Sequence, residues 1–306
     1  MKRGRMPFEL SDKLVIGISS RALFDLEREN EIFEKGGVQP YADYQRHHEE
    51  VGLAPGTAFP LVEALLGLNA LIAGKQFVEV VLMSRNSPDT GLRAMNAIEK
   101  AALPVTRAAF TGGEPITRYL EAFKVDLFLS KSADDVETAL DAGFAAAQLY
   151  APPDHEVGHP DGRIRIAFDG DAVLFSPESE QIFQTQGLEA FVAHERAKRH
   201  VAMGEGPFAK LLLMLSELQK QFPARDCPVR IAIVTARSSP THARVIHTLR
   251  AWNVAVDEAF FLGGVSKDEV LASFGAHIFF DDQDTHVARA ARRVPSAKVP
   301  NRLLTA

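Results

Sequence analysis

The sequence predicts a doubly wound α/β fold, and three observations carry that expectation. Short apolar runs rich in Val, Ile and Phe alternate with segments of helical period, as in a parallel sheet covered by helices. A composition of 46% hydrophobic and 24% charged residues is that of a globular chain with ordinary buried cores. The length, 306 residues, accommodates about two domains.

Taken in order, "KLVIGI", "FVEVVLM" and "VDLFLS" read as strands in the first half of the chain, and "IRIAFD", "VRIAIVT" and "AHIFFDD" in the second. Each is a short β-branched or aromatic run ending in polar residues, which suits a strand buried on both faces. The segments "DTGLRAMNAIEKAAL" and "THARVIHTLRAWNV" read as helices, each opening near a Ser-Pro turn signal. "LEAFVAHERAKRHVAMGEGPFAKLLLMLSELQKQF" is also helical in period, with "MGEGP" as a hinge or turn within it.

The two halves share a register. Phe24 pairs with Phe175, Ser84 with Thr235, Gly112-Gly113 with Gly263-Gly264 and Phe128 with Phe279, always at a spacing of 151 residues. Leu23 and Leu174, Phe110 and Phe261, and Leu120 and Leu271 follow the same spacing. A constant offset over most of the chain predicts a tandem duplication, residues 12 to about 150 and 163 to about 295. Between them, 151–162, "APPDHEVGHPDG" reads as a Pro- and Gly-rich linker, whose His155 and His159 are expected to be solvated rather than a metal pair.

Charge and composition exclude several classes. With 34 Lys and Arg against 40 Asp and Glu, a net charge of −6 gives no reason to expect a nucleic-acid backbone as partner. The basic start "MKRGRMPFELSDK" is followed by no signal-peptide core, and no window approaches the roughly 18 apolar residues of a membrane span. The expected compartment is therefore the cytoplasm. A single cysteine, Cys227, excludes an internal disulfide framework and any Cys-rich zinc site.

In a parallel sheet, functional groups gather at the carboxyl ends of strands. Those ends in the second half supply Asp169-Gly170-Asp171, then Thr235, then Lys267 at a helix start, then Asp281-Asp282. This ordered set suits phosphoryl transfer through a covalent carboxylate intermediate. Asp169 is the candidate nucleophile; Asp171, beyond a permissive glycine, is the candidate general acid and base. Thr235 and Lys267 are expected to hold phosphate oxygens. Four carboxylates beside an anionic ester repel by about 4 kcal/mol per close pair at an effective dielectric near 20, so a divalent cation is required. With oxygen ligands from Asp169, Asp171, Asp281 and Asp282, Mg²⁺ is the natural choice.

The motifs "FDGDAVLF", "IVTARS", "GGVSKDEVL" and "IFFDDQ" resemble those of the haloacid dehalogenase superfamily. More closely, "RIAFDGDAVLFSPESE", "TARSSPTHARVIHTLRAW" and "DEAFFLGG", with "ISSRALFD" and "SRNSPDTGLR" in the first half, resemble the cytosolic 5'-nucleotidase type I family. That resemblance implies two haloacid-dehalogenase-like halves, the second catalytic, with a cap insert at about 176–230. It also implies Mg²⁺-dependent hydrolysis of nucleoside 5'-monophosphates, AMP being the family's usual substrate, and Asp281 as the more direct metal ligand with Asp282 in support.

Applying the 151-residue offset, Asp169 falls on Ile18, Asp171 on Ser20, Lys267 on Ile116, Asp281 on Ser130 and Asp282 on Lys131. The first half therefore lacks nucleophile and metal ligands and is expected to be non-catalytic. Its strand-end groups Ser84, Arg85 and Asn86 either contact a nucleotide or serve as caps and interface. Phe191 and His194 in the insert either touch a base or belong to the insert's own core. The motifs alone leave open a phosphatase for another small monoester and a non-catalytic nucleotide-binding regulator; self-association is open too.

Overall fold

Every apolar run named above forms a strand in the computed structural model, which describes residues 8–155, 157–159 and 161–301. The basic residues of 1–7 and, within the linker, Glu156 and Pro160 lie outside the described residues. In the first half, β1 (Leu14–Ile18) leads through α1 (Ser20–Leu23), α2 (Glu27–Gly36), α3 (Val38–His47) and α4 (Phe59–Gly67) to β2 (Val78–Ser84). Then come α5 (Pro88–Lys100), β3 (Arg107–Phe110), α6 (Thr117–Leu120), β4 (Leu127–Ser130), α7 (Ala133–Asp141) and β5 (Ala145–Leu149). In the second half, β6 (Ile164–Phe168) leads through α8 (Glu178–Ala197) and α9 (Ala209–Gln219) to β7 (Val229–Thr235). After it follow α10 (His242–Ala251), β8 (Glu258–Phe261), α11 (Lys267–Phe274), β9 (Ile278–Asp281), α12 (Asp284–Ala290) and β10 (Ser296–Lys298).

The strands make one ten-stranded sheet in the order β3-β2-β1-β4-β5-β10-β9-β6-β7-β8. All neighbours are parallel except at the centre, where β5 and β10 pair antiparallel through Leu149↔Ala297 and Gln148↔Lys298. This reversal has a direct consequence. The carboxyl ends of β1 to β5 lie along one edge of the sheet and those of β6 to β10 along the other.

Three layers result. On one face a single core runs through both halves, with Leu61, Leu65 and Ile98 of the first beside Leu211, Leu215 and Val245 of the second. On the other face each half has its own smaller core, around Leu120 and Val136 or around Leu271 and Val294. Within the insert, α8 is broken at Gly187 (φ 82°), residues 203–207 are not helical, and α9 sinks Leu211, Leu212 and Leu215 into the shared core. Phe168 and Phe280 stack at 5.4 Å, and Phe208 packs 4.9 Å from Phe280, so the strand carrying Asp169 is anchored by apolar burial just below its tip.

Gly206 lies against the turn that follows Asp171. A Cβ there would sit 2.5 Å from the Val173 carbonyl oxygen and 2.6 Å from that of Phe175. Backbone cannot yield as a side chain can, so Gly206→Ala should lower unfolding stability by about 1–3 kcal/mol. Denaturant titration checks this; an unchanged midpoint would mean that the approach is not tight.

Candidate active site

At the second-half edge, β6 delivers Asp169 with its backbone N–H donating to the Phe280 carbonyl at 2.8 Å. The chain then doubles back at once. Leu174 and Phe175 both donate backbone N–H groups to the Gly170 carbonyl, at 3.0 and 2.9 Å, and Ala172 takes a left-handed φ of 62°. A Cβ at position 170 would already be 3.3 Å from the Phe175 ring, which explains a glycine between two aspartates. Lys267, the first residue of α11, follows the left-handed Gly263-Gly264 turn and reaches across to the tips of β6 and β9.

There its Nζ lies 2.9 Å from Asp169 Oδ1 and 2.6 Å from Asp281 Oδ2. Oxygens of Asp169, Asp281 and Asp282 come within 4.8 Å of one another, and all three residues are buried. Burial, against the pull of Lys267 and with the repulsion of Asp281 and Asp171, pushes Asp169 up to about 7. Burial and then Asp169 and Asp281 push Asp282 up to about 8. Burial acts to raise Asp281 as well, but Lys267 and then His286 outweigh it and hold that carboxyl below its ordinary value. Lys267 is raised: burial opposes its charge, yet Asp169 and Asp281 more than compensate.

The donor set fits a hard divalent cation. Three buried carboxylates lie together, two of them paired with one ammonium, and Asp169 Oδ1 makes no well-aligned hydrogen bond despite its ion pair with Lys267. Asp281 is heavily engaged, accepting from Lys267 and from the Gln283 backbone N–H at 2.9 Å, with His286 Nδ1 at 3.3 Å. Asp282 makes no hydrogen bond or ion pair among the described residues. Of the two neighbouring carboxylates, Asp281 is thus the more engaged by protein groups and Asp282 the less.

Asp171 has a different partner. It is not one of the carboxylates gathered around Lys267; both its oxygens are taken by Arg237, whose Nε and Nη2 donate at 2.7 and 2.6 Å. Arg237 is itself held by Glu195 and lies over the Phe191 ring at 5.3 Å. Arg244 also donates to Glu195, at 2.8 Å, and so does Ser179 Oγ. His194 Nε2 lies 3.2 Å from Arg244 Nη1. Phe191 thus lies against Arg237, and His194 lies beside Arg244. Thr235, at the tip of β7, is buried, and its Oγ1 accepts the Arg237 backbone N–H at 3.3 Å.

The family model described as 5'-nucleotidase matches residues 6–305. The chain belongs to the 5'-nucleotidase family. It is similar to a human protein named cytosolic 5'-nucleotidase 1B, with 36% identity over 296 residues, 94% of this chain and 48% of that protein. The chain spans about half the length of that curated relative. The family resemblance read from the motifs is borne out.

In this 5'-nucleotidase family member, Ser84, Arg85 and Asn86 do not join the cluster around Asp169. They follow β2 at the other edge of the sheet, and four strands separate β1 from β6, or about 24 Å at about 4.8 Å per strand. They make local contacts: Ser84 Oγ accepts the Asn86 backbone N–H at 3.2 Å, and Arg85 pairs with Asp135. Arg237 and Glu195 escaped the sequence reading. A signal existed for the first, since Arg237 sits two residues past Thr235 at a strand end. For the second, only the matching cluster in the first half would have helped: Arg93 donates to Glu29 at 2.7 Å and Gln45 at 3.0 Å, at the register of Arg244.

Proposed function

We propose that this chain is a Mg²⁺-dependent 5'-nucleotidase that hydrolyses nucleoside 5'-monophosphates, AMP above others, to nucleoside and phosphate through an aspartyl-phosphate. The observation that carries this reading is the meeting of Asp169, Lys267, Asp281 and Asp282 at one sheet edge. Family membership supports the activity, and the human relative's name supports nucleotide substrates and a cytosolic setting. Among the described residues no helix is long and apolar enough to cross a membrane.

Asp169 attacks phosphorus as the carboxylate, and the bond from phosphorus to the nucleoside 5'-oxygen breaks. Asp171 gives a proton to the departing oxygen and later accepts one from the water that cleaves the aspartyl-phosphate. For that transfer Arg237 must release one Asp171 oxygen. Lys267 and Thr235 hold the equatorial phosphate oxygens by charge and hydroxyl. Asp169, Asp282 and Asp281 would hold Mg²⁺, which supplies charge neutralisation between the nucleophile and the phosphate. Their buried carboxylates would otherwise oppose binding of an anionic ester.

The remaining features fit one history. The strand orders 3-2-1-4-5 and 8-7-6-9-10 correspond element by element, in keeping with a tandem duplication whose first copy lost its carboxylates. Residues 176–230 then act as the cap segment, with α8 tied to the site through Glu195 and Arg237. Phosphate release across nucleoside 5'-, 3'- and 2'-monophosphates and sugar phosphates, with Mg²⁺ or EDTA, tests the proposal. Release confined to 5'-esters with Mg²⁺ is expected; equal release from sugar phosphates would redirect it to another small monoester.

Stability should report the same site. Asp169 and Asp282 titrate near 7 and 8 when folded, above the ordinary aspartate value of 3.8. The folded state then binds more protons than the unfolded one, so this contribution is full below about 4 and is lost as pH rises through about 7 to 8. In EDTA, Tm should fall between pH 6 and pH 8.5, less so in Asp282→Asn. Mg²⁺ displaces those protons, so its stabilising shift should be larger at pH 8.5 than at pH 6. A Mg²⁺ shift that shrinks with pH would contradict this assignment.

A further inference from the structure

The edge opposite Asp169 holds a cavity of about 590 Å³ at the tips of β1, β2 and β4, roofed by α2 and α3. We propose that this first-half cavity is a metal-independent binding site for a small organic phosphate carrying a planar ring. Its position matches the catalytic site by register, but its chemistry is inverted. Where the second half has the carboxylates Asp169, Asp281 and Asp282, the first has Ile18, Ser130 and Lys131. Among the described residues, the group of side chains placed to hold a metal lies in the second half. Positive charge in the first-half cavity is instead supplied by the chain itself.

Hydroxyl groups converge on the strand tips. Ser19 Oγ accepts the Ala22 backbone N–H at 3.2 Å, Ser84 Oγ that of Asn86 at 3.2 Å, and Ser130 Oγ that of Ser132 at 3.1 Å. Each serine is thus oriented by backbone; Ser19 and Ser130 keep their own O–H protons to donate, as a phosphate oxygen requires, and Ser84 shares a 3.4 Å contact with the Ser20 hydroxyl, which also lines the cavity. Beside them, Arg21 and Lys131 share the single carboxylate of Glu27, at 3.0 and 2.5 Å, which leaves one positive charge in excess. Arg21 Nε is buried and has no hydrogen-bond partner. The acidic residues in the wall are already matched: Glu29 by Arg93, Asp89 by Arg46 and Asp135 by Arg85.

The roof suits a flat ring. Phe33 meets Tyr41 edge-on at 5.7 Å, and Phe33 and Val38 are 46% and 70% exposed, apolar surface facing a cavity rather than a core. Tyr41 Oη donates to Asn86 Oδ1 at 3.0 Å, which fixes the amide so that its NH₂ is free to donate to a ring substituent. The volume lies within the roughly 300–1,000 Å³ usual for small-ligand sites. Hydroxyl donors and a built-in cation at one end, with an apolar aromatic wall at the other, are the two recognition elements of a phosphorylated, ring-bearing molecule.

The test uses the full chain carrying Asp169→Asn, in EDTA, so that neither turnover nor metal contributes. Calorimetric titration with AMP, inorganic phosphate and adenosine should give saturable binding of AMP, tighter than either fragment by at least about tenfold. Lys131→Gln and Phe33→Ala, the latter at an exposed position, should each weaken AMP by at least about fivefold, while Thr235→Ala in the second half should leave it unchanged. Three outcomes would overturn the inference: no saturable binding, phosphate alone binding as tightly as AMP, or binding weakened by Thr235→Ala but not by the first-half variants. Mg²⁺-dependent turnover of the unsubstituted chain is measured separately, so failure of this site and failure of the hydrolase reading are distinguishable.

Discussion

Asp169→Asn is expected to reduce Mg²⁺-dependent phosphate release by at least about 10³-fold, because removal of a covalent nucleophile eliminates the two-step path. The fold should survive the change. Asp169 is buried and in ion-pair contact with Lys267, yet burial and two neighbouring carboxylates already oppose its charge. A neutral amide of the same shape relieves that opposition, so Tm in EDTA should hold or rise. Loss of activity together with a large fall in Tm would point to a structural rather than a chemical role. Retained activity would remove Asp169 from the reaction.

Arg237→Ala should have the second largest effect, and on two readouts. Arg237 is 4% exposed and joins Asp171 to Glu195, so its removal leaves Asp171 without a cation and Glu195 with Arg244 alone. Breaking a buried pair in this way costs about 3–5 kcal/mol. Phosphate release should fall by about 10²-fold or more as Asp171 loses its orientation. Arg237→Lys separates the contributions: it keeps the charge, and hence much of the stability, but cannot reproduce the bidentate contact with Asp171. If Arg237→Lys restores both stability and turnover, the fork geometry is not what positions Asp171. A double variant, Arg237→Ala with Glu195→Gln, should regain part of the stability without regaining activity.

Much of this was legible in the residues because strand tips are where sequence and chemistry coincide. An apolar run that stops at Asp169 or at Asp281-Asp282 announces both a buried strand and the charged group at its end. Four strands escaped: β3 and β8 are four-residue strands at the two edges of the sheet, and the composition of β5 and β10 says something else. β5, "AAAQL", has helical propensity and becomes a strand only because β4 and β10 flank it; β10 is three residues, "SAK". Missing that pair hid the reversal of strand direction at the sheet centre, and hence the placement of Ser84, Arg85 and Asn86 on the far edge.

Side-chain partnerships were less legible still. No local pattern says that Asp171 turns toward Arg237 or that Asp281 is crowded while Asp282 is free, since both outcomes depend on residues more than 40 positions apart or on a helix that crosses the strand tips. Glu195 in the last turn of α8 reads as a surface charge until the fold buries it completely between two arginines. Long-range polar contacts of this kind are set by packing, and packing is what the sequence encodes least locally.

The most direct trial of the central claim is a single-turnover rapid quench with ³²P-labelled AMP and Mg²⁺, followed by peptide mapping of the acid-trapped protein. Label on the peptide that contains Asp169, absent in EDTA and in Asp169→Asn, is the predicted result. Turnover without protein-bound label, or label on a different residue, would contradict it.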